Sequence, residues 1–509
     1  DAGQGDALWA VYIELGAQSQ MVDQLIARIQ DIGYGIDTKD IFSHSSIALL
    51  STQLFQLSDG YQIPENGIPE GCTYITPGML PLVELEQGEL ETVMESVPGG
   101  AANIQDIYPL SPLQEGMYFH YLMSGPDKGD PYILPRLLSF SSPEKRSGFM
   151  DGLRFVIRRH DVLRTCVLSK GLSQNVQVVL HEVELPVERL HVDNQSDILP
   201  QVKRAVAPEK LYMDLTTAPM LRTMIADDDH NGTYYLVTHH HHLMMDHLGL
   251  EKVHREIGIY LSGHPDTLPP PTLYRDFIGH TLHKQGSGES ESYFRSLFSD
   301  ITTPTYPFGL TNTRGDGSTH IASATYLMEN HMNSTVRKLS AELRTSPATL
   351  FHAAFGMVVA RCSGTEHALF GSLFLGRLQG ARGSGASLGL FINTLPMVLE
   401  PKGSAREYIE HTNDRLQGLL QHEQTPATNV HDWSAIPNDT PMFSALMNYR
   451  HSEQNKESDK IDSTEDHFDP GARLLSVTVR TIYPFSVDFD DYGDGFRLIA
   501  KMSGAGADP

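Results

Sequence analysis

Residues Thr233 to His242 form a run rich in β-branched and aromatic side chains that ends in four consecutive histidines. Leu250, Val253, Ile257 and Leu261 then follow at helical spacing. A strand that leads into an amphipathic helix is a unit of layered α/β proteins, where the helix covers one face of a sheet. The same grammar recurs upstream, where Phe149, Leu153, Val156 and Ile157 make one buried face of a helix predicted to end near His160. From Ile104 onward helical and strand patterns alternate, which predicts an α/β fold. About 400 residues in this region exceed one comfortable core, so two lobes are expected.

The first hundred residues read differently. Over 1–58, Met21, Val22, Leu25, Ile26 and Ile29 fall at helical spacing behind Ser19, and Ile47, Leu50 and Leu54 make a second apolar stripe. This predicts a small helical domain. Over 59–103, Pro64, Pro69, Pro77, Pro81 and Pro98, with Gly99 and Gly100, resist regular structure and read as a linker. Its Ile, Leu and Tyr content predicts that it lies along a neighbouring surface.

Charge and composition exclude some functions. Against 38 Lys and Arg stand 63 Asp and Glu, a formal charge of −25. Nucleic acid is therefore not an expected partner, because its phosphates demand clustered cations. The longest apolar stretches, such as Phe355 to Ala360, fall far short of the roughly 20 residues of a membrane helix. Cys72, Cys166 and Cys362 are few and widely separated. They suit a reducing compartment and carry no metal-ligand spacing, so a cytoplasmic location without a metal is expected.

The densest chemical signal is His239 to His242 with Asp246 and His247 behind it. Period-two alternation places His240 and His242 on one strand face and His239 and His241 on the other. An imidazole titrates near neutral pH and is suited to proton transfer. On these residues alone, catalysis, transition-metal binding and incidental strand histidines all stand open.

His241-His242-Leu243-Met244-Met245-Asp246-His247 resembles the HHxxxDG signature of condensation domains of non-ribosomal peptide synthetases, with His247 in place of the glycine. Four further stretches resemble that family's motifs in the family's order. They are Ile107 to Met117, Arg159 to Thr165, Tyr274 to Phe277 and Gly389 to Thr394. The resemblance implies two chloramphenicol-acetyltransferase-like lobes in a V, expected here at 104–275 and 276–509. It implies amide formation between a donor thioester and an aminoacyl acceptor. His242 would direct or accept the amine proton, His241 would share the signature, and Asp246 would pair with Arg377 of Leu375-Gly376-Arg377. Arg164 would be structural.

Glu14-Leu15-Gly16-Ala17-Gln18-Ser19 resembles the motif of peptidyl carrier domains, with Ala17 where a glycine is usual. This implies a carrier at 1–58 with 4'-phosphopantetheine on Ser19, where a helix start offers free N–H groups to the phosphodiester. Residues 1–12 look short for the carrier's first helix. The implied partners are an upstream adenylation domain, a downstream acceptor carrier and a phosphopantetheinyl transferase.

Ser111 to Gly116 resembles condensation domains that take a D-configured donor or epimerise one themselves, and Asp246-His247, Gly376 to Gly380 and Phe443 to Arg450 resemble most the dual epimerisation/condensation branch. That branch has a second histidine signature near the opening motif. Here it reads His120-Tyr121-Leu122, six residues, then Gly129-Asp130, so Tyr121 replaces a histidine and the spacer is longer. His240, just ahead of the main signature, is similar to a variant that forms a β-lactam. A non-catalytic recruitment unit is the alternative from another class.

Overall fold

The computed structural model describes Ile29, Tyr34–Gly35, Phe55–Gln56 and residues 61–509 apart from 126–128, 208–210, 312–320, 377–386, 438, 452–471, 478–482 and 504–509. Ser19 and Arg377 therefore lie outside the described residues, as does nearly all of the segment read as a carrier.

The first lobe is built on a five-stranded sheet. Its strands are β2 (Ile133–Phe140), β5 (Val187–Arg189), β6 (Leu221–Asp228), β7 (Thr233–His241) and β12 (Ala472–Val477), in the order β12-β2-β7-β6-β5. β7 is central and antiparallel to both neighbours, with Leu134 opposite His240 on one side and Leu221 opposite it on the other. Helices α3 (Pro143–Arg159) and α5 (His247–Leu261) pack together, and α3 packs on β7. α3 starts where Ser142 Oγ accepts the Lys145 N–H at 3.3 Å and Pro143 presets the first turn. It ends as predicted at His160, whose backbone is extended. His160 Nε2 and Arg159 Nε meet the Glu256 carboxylate at 2.8 and 3.1 Å, fastening the end of α3 to α5.

The second lobe carries a six-stranded sheet, preceded by α6 (Tyr274–Gln285) and α7 (Glu289–Leu297). Its strands are β8 (Ile321–Leu327), β9 (Ala368–Phe374), β10 (Asn393–Leu399), β11 (Ala445–His451), β13 (Phe485–Asp491) and β14 (Phe496–Ser503), in the order β8-β14-β13-β11-β9-β10. Helices α8 (Asn330–Leu343), α9 (Pro347–Ser363) and α10 (Ala405–Gln421) supply the rest of its core with Phe351, Phe355, Tyr408 and Leu416. The lobes are not sequential in the chain. β12 leaves the second half and pairs antiparallel with β2, Ala472 opposite Phe140.

Residues 61–103 pack as part of the molecule. α1 (Gln87–Ser96) forms where the prolines are absent, started by a reciprocal capping box between Glu86 and Glu89. Ile75, Leu80, Val83, Leu90 and Val93 share one buried cluster with Ile107, Leu168, Val176, Val178 and Leu180. Those partners belong to or adjoin a three-stranded sheet of β1 (Ile104–Pro109), β3 (Thr165–Leu168) and β4 (Val176–Leu180), ordered β1-β4-β3. Arg275 donates to the Pro64 carbonyl at 2.8 Å, and Tyr61 stacks on His283 at 4.0 Å.

No helix among the described residues is long and apolar enough to cross a membrane.

Candidate active site

β7 delivers the histidines, and the turn after it separates their roles. His241 is fully buried. Its Nδ1 accepts the Leu243 N–H at 3.1 Å, so Nε2 carries the proton and donates to Asp130 Oδ2 at 3.0 Å. Both ring nitrogens are engaged within the protein, which leaves none for a substrate. His242 is half-buried. Its Nδ1–H donates to the Met245 carbonyl at 2.9 Å, which directs the lone pair of the neutral ring to Nε2. Burial holds this imidazole below its usual range, with the Met245 carbonyl and the Asp246 carboxylate pulling the other way. The ring is thus neutral at neutral pH, oriented and able to accept a proton.

Asp246 caps the helix that follows. It is buried, and its Oδ1 accepts the Gly249 N–H at 2.8 Å. Its own N–H donates to the Gly389 carbonyl at 3.2 Å, tying the signature turn to a segment of the second half of the chain. The pairing expected with Arg377 falls outside the described residues.

The separate sequence motifs converge on this turn. Gln114, in the helix α2 (Pro112–Ser124), is fully buried and donates to the Leu243 carbonyl at 2.9 Å. Asp161 of the Arg159 to Thr165 stretch accepts the Tyr274 N–H at 3.0 Å. Tyr274 in turn donates its hydroxyl to the Leu390 carbonyl at 2.6 Å. Gly389 lies against the same tyrosine, with φ at +150°. A Cβ there would come within 2.2 Å of the Tyr274 ring. Gly389→Ala must displace a buried ring and strain the backbone, at a cost on the order of 3 kcal/mol. We expect its thermal midpoint to fall by several degrees; unfolding at the wild-type temperature would contradict this contact.

The remaining candidates are spread around this centre. His120 Nδ1 lies 2.7 Å from the Tyr132 hydroxyl, and burial lowers its pKa. The Tyr132 carbonyl accepts the His242 N–H at 2.8 Å, so the second signature physically abuts the first. Tyr121 takes a hydrogen bond from the Tyr212 hydroxyl at 2.6 Å, and burial raises its pKa, so it stays a neutral phenol. His240 is buried beneath α3 and α5 and lines an interior cavity. His247 is exposed and pairs with Glu251 at 3.1 Å. Arg164 is buried and donates to the carbonyls of Leu180 and His181. Among the described residues no group of three or more His, Cys, Asp or Glu is placed to hold a metal ion.

Tyr132 and Gln177 had no role in the sequence reading. Asp130 was visible only as the end of the altered signature, and nothing in a run of residues shows that it meets His241, 111 positions away. Gln177 is fully buried and bonded to Gln114 at 2.9 Å, and only a polar residue amid Val176, Val178 and Val179 hinted at it.

Comparison with known proteins agrees with this geometry. The family model described as "Condensation domain" matches residues 104–499. Malpibaldin synthetase of Mortierella alpina is 33% identical over 497 residues, 96% of this chain and 9% of that protein. Malpinin synthetase of the same organism is 34% identical over 494 residues, 97% of this chain and 6% of that protein. The chain thus spans less than a tenth of these curated relatives. The condensation domain from Monacolin K polyketide synthase MokA superposes with a TM-score of 0.61 at 17% identity, covering 79% of this chain and 93% of that one. That likeness shows the expected two-lobed fold with mixed α/β sheets. By its matched residues and its fold, the chain belongs to the condensation domain family, the amide-forming unit of nonribosomal peptide synthetases.

Proposed function

We propose that this chain joins a donor thioester carried on Ser19 through 4'-phosphopantetheine to an aminoacyl acceptor on a downstream carrier. The observation that supports it is the neutral His242 ring, anchored through Nδ1 with Nε2 as its basic atom. In this reading the acceptor nitrogen attacks the thioester carbonyl and the C–N bond forms. His242 takes a proton from that nitrogen and returns it to sulfur as the C–S bond breaks, giving an amide and a free thiol. An adenylation domain upstream would supply the donor, and a phosphopantetheinyl transferase would install the arm, in the cytoplasm. The test is to load the chain with coenzyme A and a transferase, attach a donor, add an acceptor-loaded carrier and weigh the product. Ser19→Ala should take up no arm; an arm that survives the substitution contradicts the attachment site.

For the branch, we propose D-donor condensation with epimerisation slow or lost. Inverting an α-carbon needs proton acceptors and donors that reach both faces, and His242 supplies one side. At the second signature only His120 is a neutral base, while Tyr121 is a phenol held protonated and bonded to Tyr212. With an L-donor in deuterated buffer and no acceptor, we expect little deuterium at the α-carbon. Rapid uptake with D-product would show that His120 suffices.

A further inference from the structure

The altered second signature ends at Asp130, and that residue braces both neighbours of His242, one in sequence and one in space. Asp130 is buried, and each oxygen of its carboxylate faces an N–H donor. Oδ2 accepts from His241 Nε2 at 3.0 Å, and Oδ1 accepts the Tyr132 N–H at 2.9 Å. Its own N–H donates to the Leu211 carbonyl at 2.9 Å, and its carbonyl accepts the Ile133 N–H at 3.3 Å. Backbone and side chain together fix it just ahead of β2.

These two holds bracket the reacting residue. Tyr132 is gripped by Asp130 through its N–H, and its carbonyl accepts the His242 N–H at 2.8 Å. His241 is tied by its N–H to the Met220 carbonyl at 3.1 Å, and by its ring to Asp130 and the Leu243 N–H. Tyr121 stands edge-on to the His241 ring at 6.2 Å, and Tyr132 tilts against it at 6.0 Å. The ring is boxed in.

We propose that Asp130 is a positioning residue for amide formation, holding His241 and Tyr132 so that the His242 ring stays aimed at the thioester. The inference rests on the role given to His242 above. An amide in place of the carboxylate cannot make the same contacts. Asp130→Asn offers one oxygen and one NH₂ group, so one of the two N–H donors would face another donor. His241 cannot adapt by changing tautomer, because its Nδ1 already accepts the Leu243 N–H. The strand end must shift, and a misplacement of about 1 Å costs a reacting group roughly 100-fold in rate.

The test uses the full chain with N-formyl aminoacyl thioesters of N-acetylcysteamine as donors and one aminoacyl thioester as acceptor. Dipeptide formation is read by mass spectrometry, each variant being assayed well below its own thermal midpoint. Asp130→Asn should lower kcat by about 10–100-fold and leave both KM values within about twofold. In the His242→Ala background the same substitution should cost less than about twofold, because no ring is left to aim. A residue that only supports the fold would lower the rate equally in both backgrounds, and that result would overturn the proposal. So would a kcat within about twofold of the wild type, or a raised KM at unchanged kcat; the last two decide the matter if His242→Ala gives no measurable rate. If the amide prevents folding, Asp130→Glu takes its place in the same cycle. It keeps both acceptor oxygens but moves them by one methylene, and equal losses in the two backgrounds again overturn the proposal. A His242→Ala chain that condenses at the wild-type rate, or a wild-type chain that forms no dipeptide, would overturn the reading on which the inference rests.

Discussion

His242→Ala is expected to lower the rate of amide formation by about 10²–10⁴-fold, the usual cost of removing a positioned acid/base group. The fold should survive, because the ring is half-buried and, among the described residues, bonds only to the Met245 carbonyl. Circular dichroism should be unchanged while steady-state condensation collapses. The pH profile provides a second readout. Burial lowers the pKa of His242, so the basic form persists below the ordinary histidine midpoint near 6.5. The acid limb of the rate should therefore lie below pH 6.5 in the wild type and disappear in the variant. A variant of near wild-type rate would remove His242 from the chemistry, and an acid limb above pH 6.5 would contradict the burial of the ring.

The second large effect concerns the segment before the matched family region. A chain that begins at Ile104 should fail to fold or should aggregate when expressed. Without residues 61–103, Ile107, Leu168, Val176, Val178 and Leu180 lose the cover of Ile75, Leu80, Leu90 and Val93. At about 1.5–3 kcal/mol for each large apolar side chain, the loss is comparable with the whole stability of a domain. The polar ties go too, including the Arg275 bond to the Pro64 carbonyl and the Asn66 bond to the Gln105 carbonyl at 2.6 Å. A soluble, cooperatively unfolding protein from Ile104 onward would show that the segment is only a tether. Beginning at Tyr61 should restore folding.

The helix over Pro143–Arg159 and the strand over Thr233–His241 were legible because their signals are local. Phe149, Leu153, Val156 and Ile157 mark one helical face, and a run of β-branched and aromatic residues marks a strand. The helix at Gln87–Ser96 was missed because the prolines and glycines around it dominated the reading, although Glu86 and Glu89 do form a capping box. Period-two alternation set His241 apart from His242, but β7 ends at His241 and His242 stands in the turn behind it, so the turn and not the strand face decides where that ring goes.

What the chain's residues determined by themselves was the alternation of strand and helix, the five motifs and the placing of two histidines at a strand end. Local geometry suffices for these, since period and capping act over a few residues. Only the tertiary structure decided their use. Asp130 meets His241, Gln114 reaches the Leu243 carbonyl, Gly389 meets Asp246 and Tyr274, and β12 returns to β2 across more than 330 positions. Such contacts depend on how two sheets and their covering helices pack. Burial then settles which imidazole is spent on the fold and which keeps a free basic nitrogen.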